Sequence, residues 1–225
     1  MPSVRKIRVP VSDGIEAEVW VEQAEGQGTT RKALVLTHGA GGDIDETTLE
    51  AICAGAVASG IDAVRMRFPY RVSKRKAPDS APKLEAAYRA VVRWTKTELK
   101  ADRVVVGGRS MGGRISSLLA VTGEPVDGLM FLAYPLHPAG KEDKLRDTHL
   151  YVLQRPMLFV QGDRDPLCRM RLMNPVIHRL GPRATLHVVK GGDHSFKVLK
   201  RSGRTTQEAR AEVVTTALTW LADVL

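Results

Sequence analysis

Cysteine is almost missing: Cys53 and Cys168 are the only two in 225 residues. Two isolated thiols build neither a disulfide framework nor a metal site, so a reducing, cytoplasmic setting is expected. The six histidines are scattered without metal-ligand spacing, and no metal or other cofactor is expected. Aromatic residues make up only 5% of the chain and no nucleic-acid-binding signature is present, so nucleic-acid binding is not expected. No apolar run approaches the roughly 20 residues that span a bilayer. The opening Met1-Pro2-Ser3-Val4-Arg5-Lys6 has no apolar stretch and reads as no secretory signal. Repeats and long linkers are also lacking. With 43% apolar content, residues 1–225 are expected to form a single domain with a substantial core.

What is present in excess is positive charge, +9 in all. Arg65, Arg67, Arg71, Lys74, Arg75 and Lys76 crowd one stretch, which reads as a solvated basic face.

Hydrophobic patterning gives the architecture. Lys6 to Val11 and Glu16 to Glu22 alternate around Ser12-Asp13-Gly14, which predicts a β-hairpin. Gly26-Gln27-Gly28 then breaks the chain. Buried strands are expected at Ala33 to Thr37 and from Val104 onward, and further strands at Ile61 to Phe68, Gly128 to Ala133, Met157 to Gln161 and Thr185 to Val189. Helices are expected at Glu46 to Ser59, Lys83 to Leu99, Ile115 to Val121, Arg169 to Leu180 and Thr206 to Leu225. Such alternation predicts an α/β fold, a mostly parallel sheet covered by helices on both faces, with the hairpin as an antiparallel edge. In sheets of this kind ligands bind beyond the carboxyl ends of the strands.

Reactive residues gather at those ends. The segment "GGRSMGGR" places Ser110 between a Val-rich strand and a helix, within the G-x-S-x-G pattern of a nucleophile elbow. The pattern alone is a weak signal, and a glycine-rich phosphate loop is the alternative. No Gly-Lys-Ser/Thr ending follows, which argues against the phosphate loop. His38-Gly39-Ala40-Gly41-Gly42, Gly162-Asp163-Arg164-Asp165 and Gly191-Gly192-Asp193-His194 follow three other strands. A serine hydroxyl needs a base to take its proton, and the base needs an acid to hold its tautomer. Ser110, Asp165 and His194 stand in the chain order that such a triad takes in α/β-hydrolases. The G-x-x-D spacing from Gly162 selects Asp165 over Asp163. Two amides must receive the developing oxyanion, and Ala40 and Met111 are the candidates. His38 is expected to hold the loop before Ala40. Cys168 reads as a core thiol. Tyr134, Leu136 and His137, with Tyr70, are expected to wall the substrate pocket or to be ordinary loop packing.

These motifs carry a resemblance. Through "LTHGAGGD", "RFPY", "GGRSMGGR", "YPLHPAGKEDKLRDTHL", "VQGDRD" and "GGDHSF", the chain resembles the α/β-hydrolase superfamily, in its dienelactone-hydrolase-like group. More narrowly it resembles the KANL3/Tex30-like family. The resemblance implies a single-domain α/β-hydrolase fold with little or no cap. Dienelactone hydrolases use a cysteine nucleophile where this sequence has Ser110, so their substrate does not carry over. Two readings follow. One is a serine hydrolase acting on a small acyl substrate, an ester or thioester. The other is an interaction module that keeps the fold without the chemistry. No triad member or oxyanion glycine is missing, which favours the enzyme.

Overall fold

The computed structural model describes residues 3–26 and 28–225, so Gln27 of the expected chain break lies outside the described residues. Eight strands form one sheet. In chain order they are β1 (Arg5–Ser12), β2 (Ile15–Glu22), β3 (Lys32–Thr37), β4 (Asp62–Arg67), β5 (Arg103–Arg109), β6 (Gly128–Leu132), β7 (Met157–Gly162) and β8 (Ala184–Val189). Their spatial order is β1-β2-β4-β3-β5-β6-β7-β8. The β1–β2 and β2–β4 pairs are antiparallel and all others parallel.

The helices are α1 (Thr47–Ala58), α2 (Pro69–Val72), α3 (Ala81–Glu98), α4 (Met111–Val121), α5 (Met170–Leu180) and α6 (Thr206–Val224). Strand residues divide between two cores by their period of two. Val35, Val104, Val106, Phe131 and Phe159 face one side, against Leu84, Tyr88, Ile115 and Met173 of α3, α4 and α5. Leu34, Leu36, Val105, Met130 and Leu158 face the other, against Ile52, Val213 and Trp220 of α1 and α6. Burial on both faces is why the inner strands read as continuous apolar runs.

One detail departs from the expected elements, and one agrees with the expectation of little or no cap. Pro69 opens the short helix α2 rather than a loop, since its fixed φ suits a first helical position. The excursion 133–156 holds a 3-10 turn, Thr148–Val152, and no α-helix, so it builds no cap. Most of the basic stretch is internally neutralised. Arg65 is buried and pairs with Glu22 at 2.9 Å, Arg67 pairs with Glu18 and Asp43, and Arg75 pairs with Asp79 at 2.8 Å. It is less a solvated face than a set of ion pairs at the end of β4. No helix among the described residues is long and apolar enough to cross a membrane.

Candidate active site

Strand β5 ends in Gly107-Gly108-Arg109, and Ser110 follows as the residue before α4. Ser110 has φ 49° and ψ −111°, a conformation that strains any residue with a Cβ, by about 1–3 kcal/mol. The neighbours show why glycine flanks it. A Cβ on Gly108 would overlap the Thr37 carbonyl oxygen, and one on Gly112 would lie 2.7 Å from the same atom. The elbow is therefore pressed against the end of β3.

The other strand ends bring their residues to this point. His194 Nε2 lies 2.9 Å from Ser110 Oγ, and His194 Nδ1 lies 2.7 Å from Asp165 Oδ2. With Nδ1 facing a carboxylate, the ring proton sits there, and Nε2 is left to accept from the serine. Asp165 is fully buried and held by further donors: Gln161 Nε2 at 2.6 Å on Oδ2 and the Leu167 amide at 2.8 Å on Oδ1. Asp163 points elsewhere, its Oδ1 accepting the Gly191 amide at 2.8 Å. Cys168 is buried near Asp165. Burial, and then the charge of Asp165, pushes its thiol up to about 12, so it stays protonated.

Ala40 lines the cleft together with Ser110, and Met111 follows the serine in the chain. Met111 is the first residue of α4, where amides have no intrahelical acceptor. Among the described residues neither amide donates to another protein group. The Ala40 amide is aimed indirectly. The Gly39 carbonyl receives His38 Nδ1 at 2.8 Å and the Gly42 amide at 3.1 Å, and peptide planarity turns the Ala40 N–H the opposite way. His38 Nε2 accepts the Phe68 amide at 3.3 Å, which fixes that tautomer. Burial holds the His38 pKa below its ordinary value, against the pull of the Gly39 bond.

A cleft of about 490 Å³ opens over the serine. Its walls include His38 to Asp43, Glu46, Leu49, Arg109, Leu167 and Ser195. Tyr70, Tyr134, Leu136 and His137, expected at the pocket wall, are fully buried and do not line it. The Tyr70 hydroxyl instead donates to the Ala40 carbonyl at 2.8 Å, and Tyr134 donates to the Arg146 carbonyl at 2.8 Å. His137 accepts the Arg169 amide at Nε2, and the Leu136 amide and carbonyl are taken by Tyr134 and Arg146. Tyr70, Tyr134 and His137 turn inward with their polar groups bonded beneath the loops, and Leu136 packs into the hydrophobic core. Glu46, Leu49, Leu167 and Ser195 were not singled out from the sequence. Of these, Ser195 alone had a signal, its place beside His194. Among the described residues no group of three or more His, Cys, Asp or Glu is placed to hold a metal ion.

Solved structures share this arrangement of strands and helices. An α/β serine hydrolase homologue from Coxiella burnetii superposes with a TM-score of 0.74 at 19% identity, covering 96% of each chain. An α/β serine hydrolase without lid from Xanthomonas campestris gives 0.71 at 20% identity, over 96% of this chain and 94% of that one. Dienelactone hydrolase from Anabaena variabilis gives 0.77 at 15% identity, over 100% and 99%. At such identities the likeness establishes the fold. The sequence itself matches the profile of the alpha/beta hydrolase domain over residues 30–222, which hold strands β3 to β8 and all six α-helices apart from the end of α6, and the chain belongs to the α/β-hydrolase family.

Proposed function

We propose that this chain is a serine hydrolase that cleaves a small ester, thioester or related acyl bond. The reading rests on one observation: a single imidazole is bonded to a buried carboxylate and to a serine on a strained elbow. In this reading Ser110 Oγ attacks the carbonyl carbon while His194 Nε2 takes its proton, and Asp165 stabilises the imidazolium. The carbonyl electrons move onto oxygen, where the Ala40 and Met111 amides receive the charge. Collapse expels the alcohol or thiol, which leaves with the proton from His194. Water then repeats the sequence on the acyl-enzyme and frees the acid. The cleft over Ser110 presents the apolar side chains of Ala40, Leu49 and Leu167 beside the charged Glu46 and Arg109, room for a small acyl group.

Within the α/β-hydrolases we place the chain in the KANL3/Tex30-like family, on the six motifs that carry the resemblance. We read residues 1–225 as one domain and the setting as a reducing cytoplasm, in keeping with two free, buried cysteines.

A fluorophosphonate probe tests the reading, because only an activated serine reacts with it quickly. The expected result is stoichiometric labelling at Ser110, abolished in Ser110→Ala and strongly slowed in His194→Ala, with cleavage of short-chain p-nitrophenyl esters. If pure, folded protein leaves Ser110 unlabelled and cleaves no activated ester, the non-catalytic interaction module becomes the better account.

A further inference from the structure

Arg109 precedes Ser110 in the chain, yet its side chain leaves β5 and crosses to the turn after β8. Its Nη2 donates to the His194 carbonyl oxygen and lies 3.4 Å from Ser195 Oγ. The guanidinium carbon stands 5.3 Å from the centre of the buried Phe196 ring, at cation–π distance. The residue thus grips three consecutive positions, 194 to 196, from the neighbour of the nucleophile.

That turn needs such a grip. It is irregular, and Phe196 holds a φ of 54°, in the left-handed region that disfavours a side chain. Asp193 braces it from within, Oδ1 accepting the Ser195 amide at 2.7 Å and the Lys197 amide at 2.9 Å. Toward β7 the turn is fastened several times over. The Arg164 amide donates to the Gly192 carbonyl at 2.9 Å, Arg164 Nη1 to the Gly191 carbonyl at 3.2 Å, and the Gly191 amide to Asp163. Those contacts fix His194 relative to the strand that carries Asp165. Toward β5, among the described residues, the His194 carbonyl has Arg109 as its one partner. The distance from base to acid is held by several contacts at once, through both backbone and side chains. Directly between the histidine turn and the end of β5, the hydrogen bonds among the described residues are those of Arg109 and the bond of Ser110 to His194 itself.

We propose that Arg109 is a positioning residue that sets the separation of Ser110 and His194 by tying the histidine turn to the nucleophile strand. The proposal rests on the roles given above to those two residues. Arginine suits the task because its planar fork can donate to two acceptors and stack on a ring at once, which lysine cannot do. The proposal separates two distances that an unspecific loss of structure would disturb together.

The test uses Arg109→Met and Arg109→Lys in the full chain, with folding checked by circular dichroism. Arg109→Met is expected to lower both kcat on p-nitrophenyl acetate and the rate of fluorophosphonate labelling roughly 10- to 100-fold, as sub-ångström misplacement does. KM should stay within about twofold. The low-field proton resonance of His194 Nδ1–H, which reports the bond to Asp165, should persist. Arg109→Lys should recover part of kcat, because its ammonium can still donate to the His194 carbonyl. Should the methionine variant not fold, Arg109→Gln, which keeps a donor without the charge, replaces it with the same expected split. Wild-type kcat in folded Arg109→Met overturns the proposal. So does a loss confined to KM, which makes Arg109 a substrate contact, and so does disappearance of the low-field proton. Failure of the underlying reading is recognisable separately, since the wild-type protein itself would then go unlabelled.

Discussion

Gln161 donates its side-chain amide to Asp165 Oδ2 at 2.6 Å, the same oxygen that faces His194 Nδ1. Both residues are fully buried, so no water can stand in for either. The amide keeps the carboxylate turned toward the imidazole from behind. In Gln161→Met, a change of similar volume, the carboxylate loses a donor. Folding stability should fall by about 1–3 kcal/mol and kcat should fall with it. Urea unfolding and steady-state kinetics on the same preparation check both; unchanged values in both would show that the amide holds nothing.

Asp165 and Asp163 differ in what they touch, and their variants should differ accordingly. In the proposed reading Asp165→Asn removes the charge that would stabilise the imidazolium and favours the wrong tautomer, a loss on the order of 10⁴ in kcat in a triad. Asp163→Asn leaves an oxygen for the Gly191 amide and should lose far less. The reverse ranking, in folded variants, would refute the choice of acid.

Tyr70→Phe removes the hydroxyl that braces the Ala40 carbonyl. The Ala40 amide itself remains, so kcat should fall by less than the roughly 100- to 1000-fold that follows loss of an oxyanion donor. KM should hardly move. A kcat equal to wild type would mean that His38 and Gly42 hold the loop without help.

His149 makes stability depend on pH. Burial, and then the nearby Arg114 charge, lowers its pKa to about 4, while its Nε2 lies 2.8 Å from Ser117 Oγ and 3.3 Å from the Tyr134 hydroxyl. Between pH 4 and its unfolded value near 6.5, the unfolded chain binds a proton that the folded one refuses. Stability from this group is complete above pH 6.5 and is lost as pH falls toward 4. The loss is about 1–2 kcal/mol once solvent screening of a half-buried ring is allowed for. His38, with its pKa also lowered by burial, acts in the same direction. Unfolding free energies of wild type and His149→Gln from pH 4 to 7 should converge at the acid end. Parallel curves would remove His149 as a source of the slope.

The parallel core was legible because Val104 to Val106 and Leu158 to Val160 are apolar at every position, as strands covered on both faces must be. The places of Ser110, Asp165 and His194 followed from the strand ends, since every parallel strand delivers its next turn to the same edge. The cleft wall did not follow. Whether Tyr134 faces a ligand or the interior is decided by Arg146 and His149, partners that lie more than ten positions downstream and in an irregular segment. Leu49 reaches the cleft only because α1 packs where β3 and β4 lead it. Periodicity along one helix cannot give that placement. Arg109 was hidden for a related reason: beside a serine in a glycine-rich turn, nothing local tells that a side chain crosses to another strand.

The strand order has a consequence for how such a site can fail. His194 is delivered by the turn after β8, an edge strand with a single neighbour, whereas Ser110 follows β5, flanked on both sides. Local opening draws first on the elements with the fewest supports, so one of the sheet's two edges and the imidazole share one cooperative unit. Detachment of β8 would leave the elbow, its strain and the Ala40 loop intact and yet silence the serine. In the proposed reading, catalytic competence would report the integrity of an edge, and would vanish while most of the amide protection of the sheet remains.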